Sequence, residues 1–308
     1  MDTIINWLME GDAAIRWQTQ RDLLHLPQDV WQAERHNTAL SGWGGQYLSF
    51  QDAAGTWGGG IYSPKWISTT YTLLQLRELG LPQDNPAARL GVSLIMDTLG
   101  AEGSDLFKKN LKRWDLCVSG MDLALAVYFQ GVDSRVDALV ADLLANQMPD
   151  GGWNCNSRKD RGAVHSSLHT TINVLDGLRA CIEARVGSNL ENIRDAEQDA
   201  LEFMLQHKLF RSDKTNQVIN DHFTQFSYPS RWHYDVLRAL DYFQRAGAAR
   251  DPRMQEAIEL LLQKRRTDGT WPVQQRYTGL SFFEMEKIGK PSRWNTLRAL
   301  RVLNWWQP

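Results

Sequence analysis

Three segments of the chain repeat one local pattern: Gln51-Asp52-Ala53-Ala54-Gly55-Thr56-Trp57, Gln147-Met148-Pro149-Asp150-Gly151-Gly152-Trp153 and Lys264-Arg265-Arg266-Thr267-Asp268-Gly269-Thr270-Trp271. Asp and Gly make a tight turn with a residue at positive φ, and the Trp that follows is expected to plug the gap between neighbouring helical hairpins. These tryptophans are therefore expected to be structural staples. A second pattern runs in register with the first, a basic residue and then Trp: Arg16-Trp17, Lys65-Trp66, Arg113-Trp114, Arg231-Trp232 and Arg293-Trp294, with the variant Ser167-Leu168-His169. Ile15–Arg21 near the start echoes Ser292–Arg298 near the end. From Trp17 through Trp66, Trp114, Leu168 and Trp232 to Trp294 the spacings are 49, 48, 54, 64 and 62 residues. Each interval has room for two helices and their turns, the mark of a helical repeat.

Helix-period apolar segments follow these openings at Thr70–Leu79, Cys117–Phe129, Ile172–Ile182, Val236–Phe243 and Leu297–Trp305, and are read as inner helices. Val136–Gln147 and Met254–Lys264 are more plainly amphipathic and are read as outer helices with one wet face. Alternating strand-like runs are nearly absent, so the expected class is all-α. Matching units at the two ends, without a polar capping repeat, favour closure of about six hairpins into an α/α toroid, and no linker splits residues 1–308 into separate domains. Asp105–Lys112, Asn154–Val164, Arg211–Tyr228 and Arg276–Lys290 are the least regular stretches and are expected to be loops lining one mouth of the barrel.

Charge narrows the partners: a net charge of −2 gives no electrostatic reason for nucleic acid or an anionic membrane. No run approaches the roughly 18 apolar residues a membrane helix needs, and the acidic start is too short for a signal peptide, so the cytoplasm is the expected compartment. Cys117, Cys155 and Cys181 are odd in number and widely spaced, which argues against a disulfide framework and for reduced thiols. The absence of dinucleotide-binding, P-loop, Gly-x-Ser-x-Gly and His-Glu-x-x-His motifs removes nucleotide cofactors and the familiar hydrolase frameworks as leading ideas.

The Gln or Lys, Asp-Gly and Trp turns, placed before inner helices that begin near Trp or His, resemble the family of squalene and oxidosqualene cyclases and the β subunits of protein prenyltransferases. The likeness spans nearly the whole chain. It implies an α/α toroid and a lipid-like or other small-molecule ligand in a central cavity. The Asp-x-Asp-Asp acid of triterpene cyclases is missing, so a cyclase of that type is not expected. Prenyltransferases hold zinc with an Asp and a Cys two residues apart and a His on the next inner helix. Leu168-His169-Thr170-Thr171 leading to Leu175-Asp176-Gly177-Leu178 resembles the His-bearing segment, and Asp122 falls on the Asp position. The Cys position is Ala124, so a zinc site of this kind would need Cys117 or Cys155 as substitute ligand beside Asp122 and His169.

If the inner helices begin at one end, the residues after the anchors form a ring of Gln18, Ile67, Asp115, His169, His233 and Asn295. Asp115, His169 and His233, with Cys117, suit either a divalent metal or acid–base chemistry near neutral pH; the alternative is helix capping and core packing. A second ring of cations, Arg16, Lys65, Arg113, Arg231 and Arg293, adjoins Trp66, Trp114, Trp232 and Trp294. These pairs either guide an anionic substrate or are held by local acids such as Asp115, Asp235, Glu284 and Glu286. His233-Tyr234-Asp235 gathers three proton-transfer groups, and Glu284-Met285-Glu286 puts two carboxylates on one side if extended, as glycoside cleavage requires. The functional expectations are an enzyme acting on an amphiphilic, isoprenoid or anionic substrate, a non-catalytic toroid binding a peptide, lipid or glycan, and a carbohydrate-active barrel.

Overall fold

A computed structural model describes residues 2–131, 133–158 and 162–307. Helix dominates, in agreement with the all-α reading. In chain order the helices are α1 (Asp2–Met9), α2 (Ala13–Asp22), α3 (Gln28–His36), α4 (Gly42–Ser49), α5 (Thr69–Leu79), α6 (Pro86–Leu99) and α7 (Asp105–Arg113). They continue as α8 (Leu116–Phe129), α9 (Ser134–Ala145), α10 (Leu168–Ala184), α11 (Leu190–Gln206), α12 (Val236–Arg245), α13 (Gln255–Gln263) and α14 (Arg293–Trp306). The sheet among the described residues is a two-residue antiparallel pair, β1 (Trp271–Pro272) and β2 (Pro291–Ser292), with Trp271 opposite Ser292. No helix among the described residues is long and apolar enough to cross a membrane.

The chain divides into two compact units. One comprises Met1–Phe50, Glu78–Pro82 and Leu205–Pro308; the other comprises Gln51–Arg77 and Gln83–Met204. The first therefore carries both ends of the chain. Within it α2 packs on α3 and α14, α14 packs in turn on α12, and the Arg301 guanidinium of α14 bonds Asp22 of α2 at 2.7 Å and Asp241 of α12 at 2.8 Å. Three helices are thus tied by one cation with two carboxylate partners, the arrangement that lets such groups leave water.

In the second unit α8 is apolar on every side, as a helix enclosed by protein must be, and its most extensive packing is against α10. Glycine makes this possible. A Cβ at Gly120 would stand 2.5 Å from the carbonyl oxygen of Asn173, and one at Gly177 would stand 2.5 Å from that of Gly120. No side chain fits there, so the two backbones meet directly.

The repeated turns are built alike. Trp57, Trp153 and Trp271 are each fully buried, and the backbone N–H of each donates to a threonine hydroxyl on the next inner helix: Thr69, Thr171 and Thr296, all at 3.0 Å. The indoles of Trp153 and Trp271 donate to the carbonyls of Leu143 and Leu261 in the preceding outer helices. Gln51 and Gln147 close their turns by donating to Gly55 and Gly151 and reach on to Ala87 and Ala196. Burying an indole stabilises by roughly 3 kcal/mol or more. These residues are staples, as their sequence context implied.

Two expectations need correction. Asp105–Lys112 is helical and lies within α7, whose first turn is capped by Ser104 accepting the N–H of Phe107 at 3.1 Å. Arg113 therefore sits exposed in the last turn of α7, where a cation suits the helix dipole, just before α8 begins at Leu116. The anchors also occupy unequal positions: Trp17 is the fifth residue of α2, Leu168 opens α10, and Trp232 lies four residues before α12. The capping residue, and not the tryptophan, fixes where each helix starts. Of the irregular stretch Asn154–Val164, residues 159–161 lie outside the described residues.

Candidate functional site

In the first unit, aromatic rings and titratable groups gather where the loops before α12 and α14 meet the N-terminal helices. Asp12 starts the assembly: as N-cap of α2 it accepts the Ala14 N–H at 2.9 Å, and it also accepts the Trp43 N–H opening α4 at 2.7 Å. Gly42 allows the second bond, because its φ is +63° and a Cβ would lie 2.0 Å from the Asp12 carboxylate. Burial holds the Asp12 pKa above the usual aspartate range despite these donors. Trp43 then faces Tyr228 at 6.1 Å and Trp294 at 6.5 Å, and Tyr228 stacks on Trp294 at 4.9 Å. Tyr47, one turn along α4, is buried, receives a hydrogen bond from Arg231, and packs 4.7 Å from Phe283.

Glu286 lies half-buried beside this aromatic stack. Its carboxylate accepts from the Ser292 hydroxyl and from the Trp294 N–H at 3.1 Å, at the first turn of α14. Burial nevertheless pushes its pKa up to about 7. A carboxyl that exchanges its proton near neutral pH can serve as acid or base without a large penalty in either form. The electrostatic field that Tyr228 feels comes from Glu78, Glu286, Tyr47 and Asp12, in that order. The acids and aromatic rings are therefore close neighbours.

The other sequence candidates in this unit divide. His233 stacks between Trp232 at 3.7 Å and Tyr277 at 3.4 Å, on the rim that also bears Arg231. Tyr234 is fully buried and donates to the Leu209 carbonyl. Asp235, also fully buried, caps α12 by accepting the Arg238 N–H at 2.8 Å and accepts from Ser227 through backbone and hydroxyl. Glu284 and Glu286 do not act as a pair: Glu284 is exposed on Arg276 at 2.6 Å, while Glu286 turns in towards α14. Arg16 is held by Glu34 at 2.6 Å, and Arg293 lies over the Trp7 ring at 4.6 Å with Glu10 at 3.9 Å. Glu34 is an acid the sequence reading did not name, whereas Arg293 also acts on Glu286, one of those it did. Gln18 bonds the Glu78 carbonyl, and Asn295 bonds that of Pro272. An open hollow of about 370 Å³, lined by Leu23, Leu24, Leu300 and Asn304 among others, sits at the opposite, C-terminal ends of α2 and α14.

The second unit brings two of the proposed metal ligands together. Cys155 accepts the N–H of Cys117 at 3.4 Å and the hydroxyl of Thr170 at 3.4 Å, and the Cys117 thiol also donates to it. Donation from Cys117 lowers the Cys155 pKa to about 7, while the same bond, with burial, raises that of Cys117. Asp115, the N-cap of α8, and Tyr62, bonded to Tyr71 at 2.8 Å, lie within electrostatic range of this pair. Lys65 lies over the rings of Tyr62 and Trp66 at 5.6 and 5.4 Å. Trp66 meets Tyr71 edge-on at 4.8 Å, and Trp114 is the C-cap of α7.

Asp122, farther along α8, is buried, and burial alone holds its pKa well above the usual aspartate range; its Oδ1 accepts no hydrogen bond. His169 stands in the first turn of α10. Among the described residues no group of three or more His, Cys, Asp or Glu side chains is placed to hold a metal ion. A zinc site needs such convergence. Of Cys117, Asp122, Cys155 and His169, the two cysteines are the ones that the hydrogen bonds bring together.

Sequence reasoning missed Asp12, Trp43, Tyr47 and Tyr228. Glu286, Arg231, His233 and Trp294 stood in patterns that the sequence had shown.

No family model matches this chain, and no curated protein matches it. Among solved structures it is similar to a protein from Actinoplanes, at 18% identity and a TM-score of 0.46, over 97% of this chain and 91% of the other.

Proposed function

We propose that the chain is an α/α toroid of the terpenoid cyclase and prenyltransferase type, and that it works as an acid–base enzyme on an amphiphilic molecule with an anionic head. The three stapled turns and the packing of α2 on α14, which makes the first and last repeats neighbours, support the architecture. One observation carries the chemistry: Glu286, with its proton exchanging near pH 7, lies beside the Trp43, Tyr228 and Trp294 rings. The apolar body lies against the half-buried Trp43 ring, Arg231 and His233 receive the anionic head, and Glu286 gives or takes the proton.

A binding protein without chemistry is the second reading. It is favoured by the two bonds through which Glu286 closes the start of α14, since these are also what a helix cap makes.

Tryptophan fluorescence titrations with farnesyl diphosphate and farnesol test the proposal. A charge-assisted bond to Arg231 is worth about 1.5–3 kcal/mol, so the diphosphate should bind roughly 10- to 100-fold tighter. Arg231→Gln should erase that advantage. Glu286→Gln should keep binding while stopping conversion; unchanged turnover in that variant removes Glu286 from the chemistry, whereas binding without conversion by the unaltered chain supports the binding protein. Failure of both probes to bind saturably, or equal preference in Arg231→Gln, overturns the substrate assignment.

A further inference from the structure

Cys117 and Cys155 are 38 positions apart in the chain, yet their side chains meet between the first turns of α8 and α10. Cys155 belongs to a short 3-10 turn that follows the second stapled turn, and the bonds of that turn fix its position: its own N–H donates to Thr170 Oγ1 at 3.3 Å, and Thr170 Oγ1 donates back to its sulfur. The sulfur thus collects a backbone N–H from α8 and a hydroxyl from α10, both at helix N-termini, where negative charge is favoured. Cys117 adds its own S–H to the same sulfur. These donors favour a thiolate at Cys155 and a thiol at Cys117, against the opposing effects of burial and the nearby Asp115 carboxylate. Both side chains are half-buried and within reach of a small reagent, whereas Cys181, on the body of α10, is fully buried.

We infer that Cys155 is a peroxide-reactive thiolate and that Cys117 is its resolving partner, so that the pair is a reversible oxidation site separate from the aromatic site of the first unit.

Sulfur of Cys155 attacks one oxygen of a hydroperoxide. The S–O bond forms, the O–O bond breaks, and the departing oxygen takes a proton as water or alcohol. Sulfur of Cys117 then attacks Cys155 sulfur; the S–S bond forms, the S–O bond breaks, and the hydroxyl leaves with the Cys117 proton as water. Two thiols lose two electrons and the peroxide gains them. A dithiol reductant returns the pair to its starting state.

The test uses the full chain, reduced and then exposed to stoichiometric hydrogen peroxide, with peptide mass spectrometry as readout. The expected product is one disulfide linking the Cys117 and Cys155 peptides, two mass units lighter than the dithiol and reversed by dithiothreitol, with Cys181 still alkylatable. Cys117→Ser should stop at a sulfenic acid on Cys155 that dimedone captures, and in Cys155→Ser the remaining Cys117 should react at least ~10-fold more slowly than Cys155 does in Cys117→Ser, since burial and Asp115 still disfavour its thiolate. Circular dichroism of both variants establishes that they are folded. Peroxide labelling of Cys117 in Cys155→Ser at the wild-type rate, or both thiols remaining alkylatable after peroxide, would overturn the inference. Neither outcome touches the diphosphate titrations, so the two proposals fail separately.

Discussion

The backbone N–H of Trp153 donates to the hydroxyl of Thr171 at 3.0 Å, and the same bond at the same length joins Trp57 to Thr69 and Trp271 to Thr296. One hydrogen bond thus pins each turn to the helix that follows it and fixes the depth to which the indole enters the core. The acceptor comes 18 residues after Trp153, 12 after Trp57 and 25 after Trp271. Loop length varies between repeats while the joint is kept.

Thr171→Val preserves shape and removes the acceptor, leaving a buried N–H without a partner. Such a group costs about 1–3 kcal/mol. Urea unfolding should show a lower midpoint with an unchanged slope; a midpoint equal to wild type would mean that the joint contributes nothing.

Gly151→Ala should be more damaging than an ordinary turn substitution. The residue has φ +94°, and a Cβ there would stand 2.4 Å from the carbonyl oxygen of Asp199, which is backbone and cannot swing aside. At Gly247, where φ is +64° and nothing lies within 4 Å, the alanine meets only the left-handed strain. That strain is about 1 kcal/mol, and the loss at Gly151 should be at least twice as large. Comparable melting temperatures for the two variants would contradict the packing described.

Asp122 predicts a pH dependence. Its carboxyl keeps its proton in the native state above the usual range, whereas the unfolded chain gives that proton up near pH 4. Above that point the native state binds more protons, so stability falls as pH rises towards the native pKa. Asp122→Asn keeps the shape and removes the titration. Denaturant midpoints should match near pH 4 and separate as pH rises, with the asparagine variant the more stable at pH 7.5. Parallel curves would exclude a buried neutral carboxyl.

Arg301→Ala removes the shared partner of Asp22 and Asp241 and should destabilise the chain by about 3 kcal/mol at neutral pH. Asp22 has a lowered native pKa, set by Arg301 and Arg21 against the opposing effect of burial. Its contribution is therefore present above the ordinary aspartate pKa and lost as pH falls below it. The difference between wild type and variant should shrink through that acid window; a difference that stays constant would point to packing and not charge.

The helices were legible because their signals are local. Asp-Gly turns need a permissive φ at one place, and apolar residues at helical spacing name a buried face, so α8, α10 and α12 and the stapling tryptophans could be read from neighbours a few residues apart. Where local signals were weak the reading slipped. The charged α7 looked like loop until Ser104 capped it, and the basic residue before each Trp suggested one register that unequal capping then dispersed.

The sequence by itself determined an all-α chain of repeated hairpins, because helix period, turn chemistry and the size of an indole act over short stretches and survive any arrangement of the rest. Tertiary structure alone decided that Asp12 reaches both α2 and α4, that Glu286 leaves Glu284 for the start of α14, and that Cys117 finds Cys155. Asp12 and Trp43 lie 31 positions apart, and Cys117 and Cys155 lie 38 apart. Glycine makes room for both meetings: Gly42 admits the Asp12 carboxylate, and Gly120 with Gly177 brings α8 against α10. A missing side chain carries no periodic signal, and its meaning appears only when another segment arrives to fill the space.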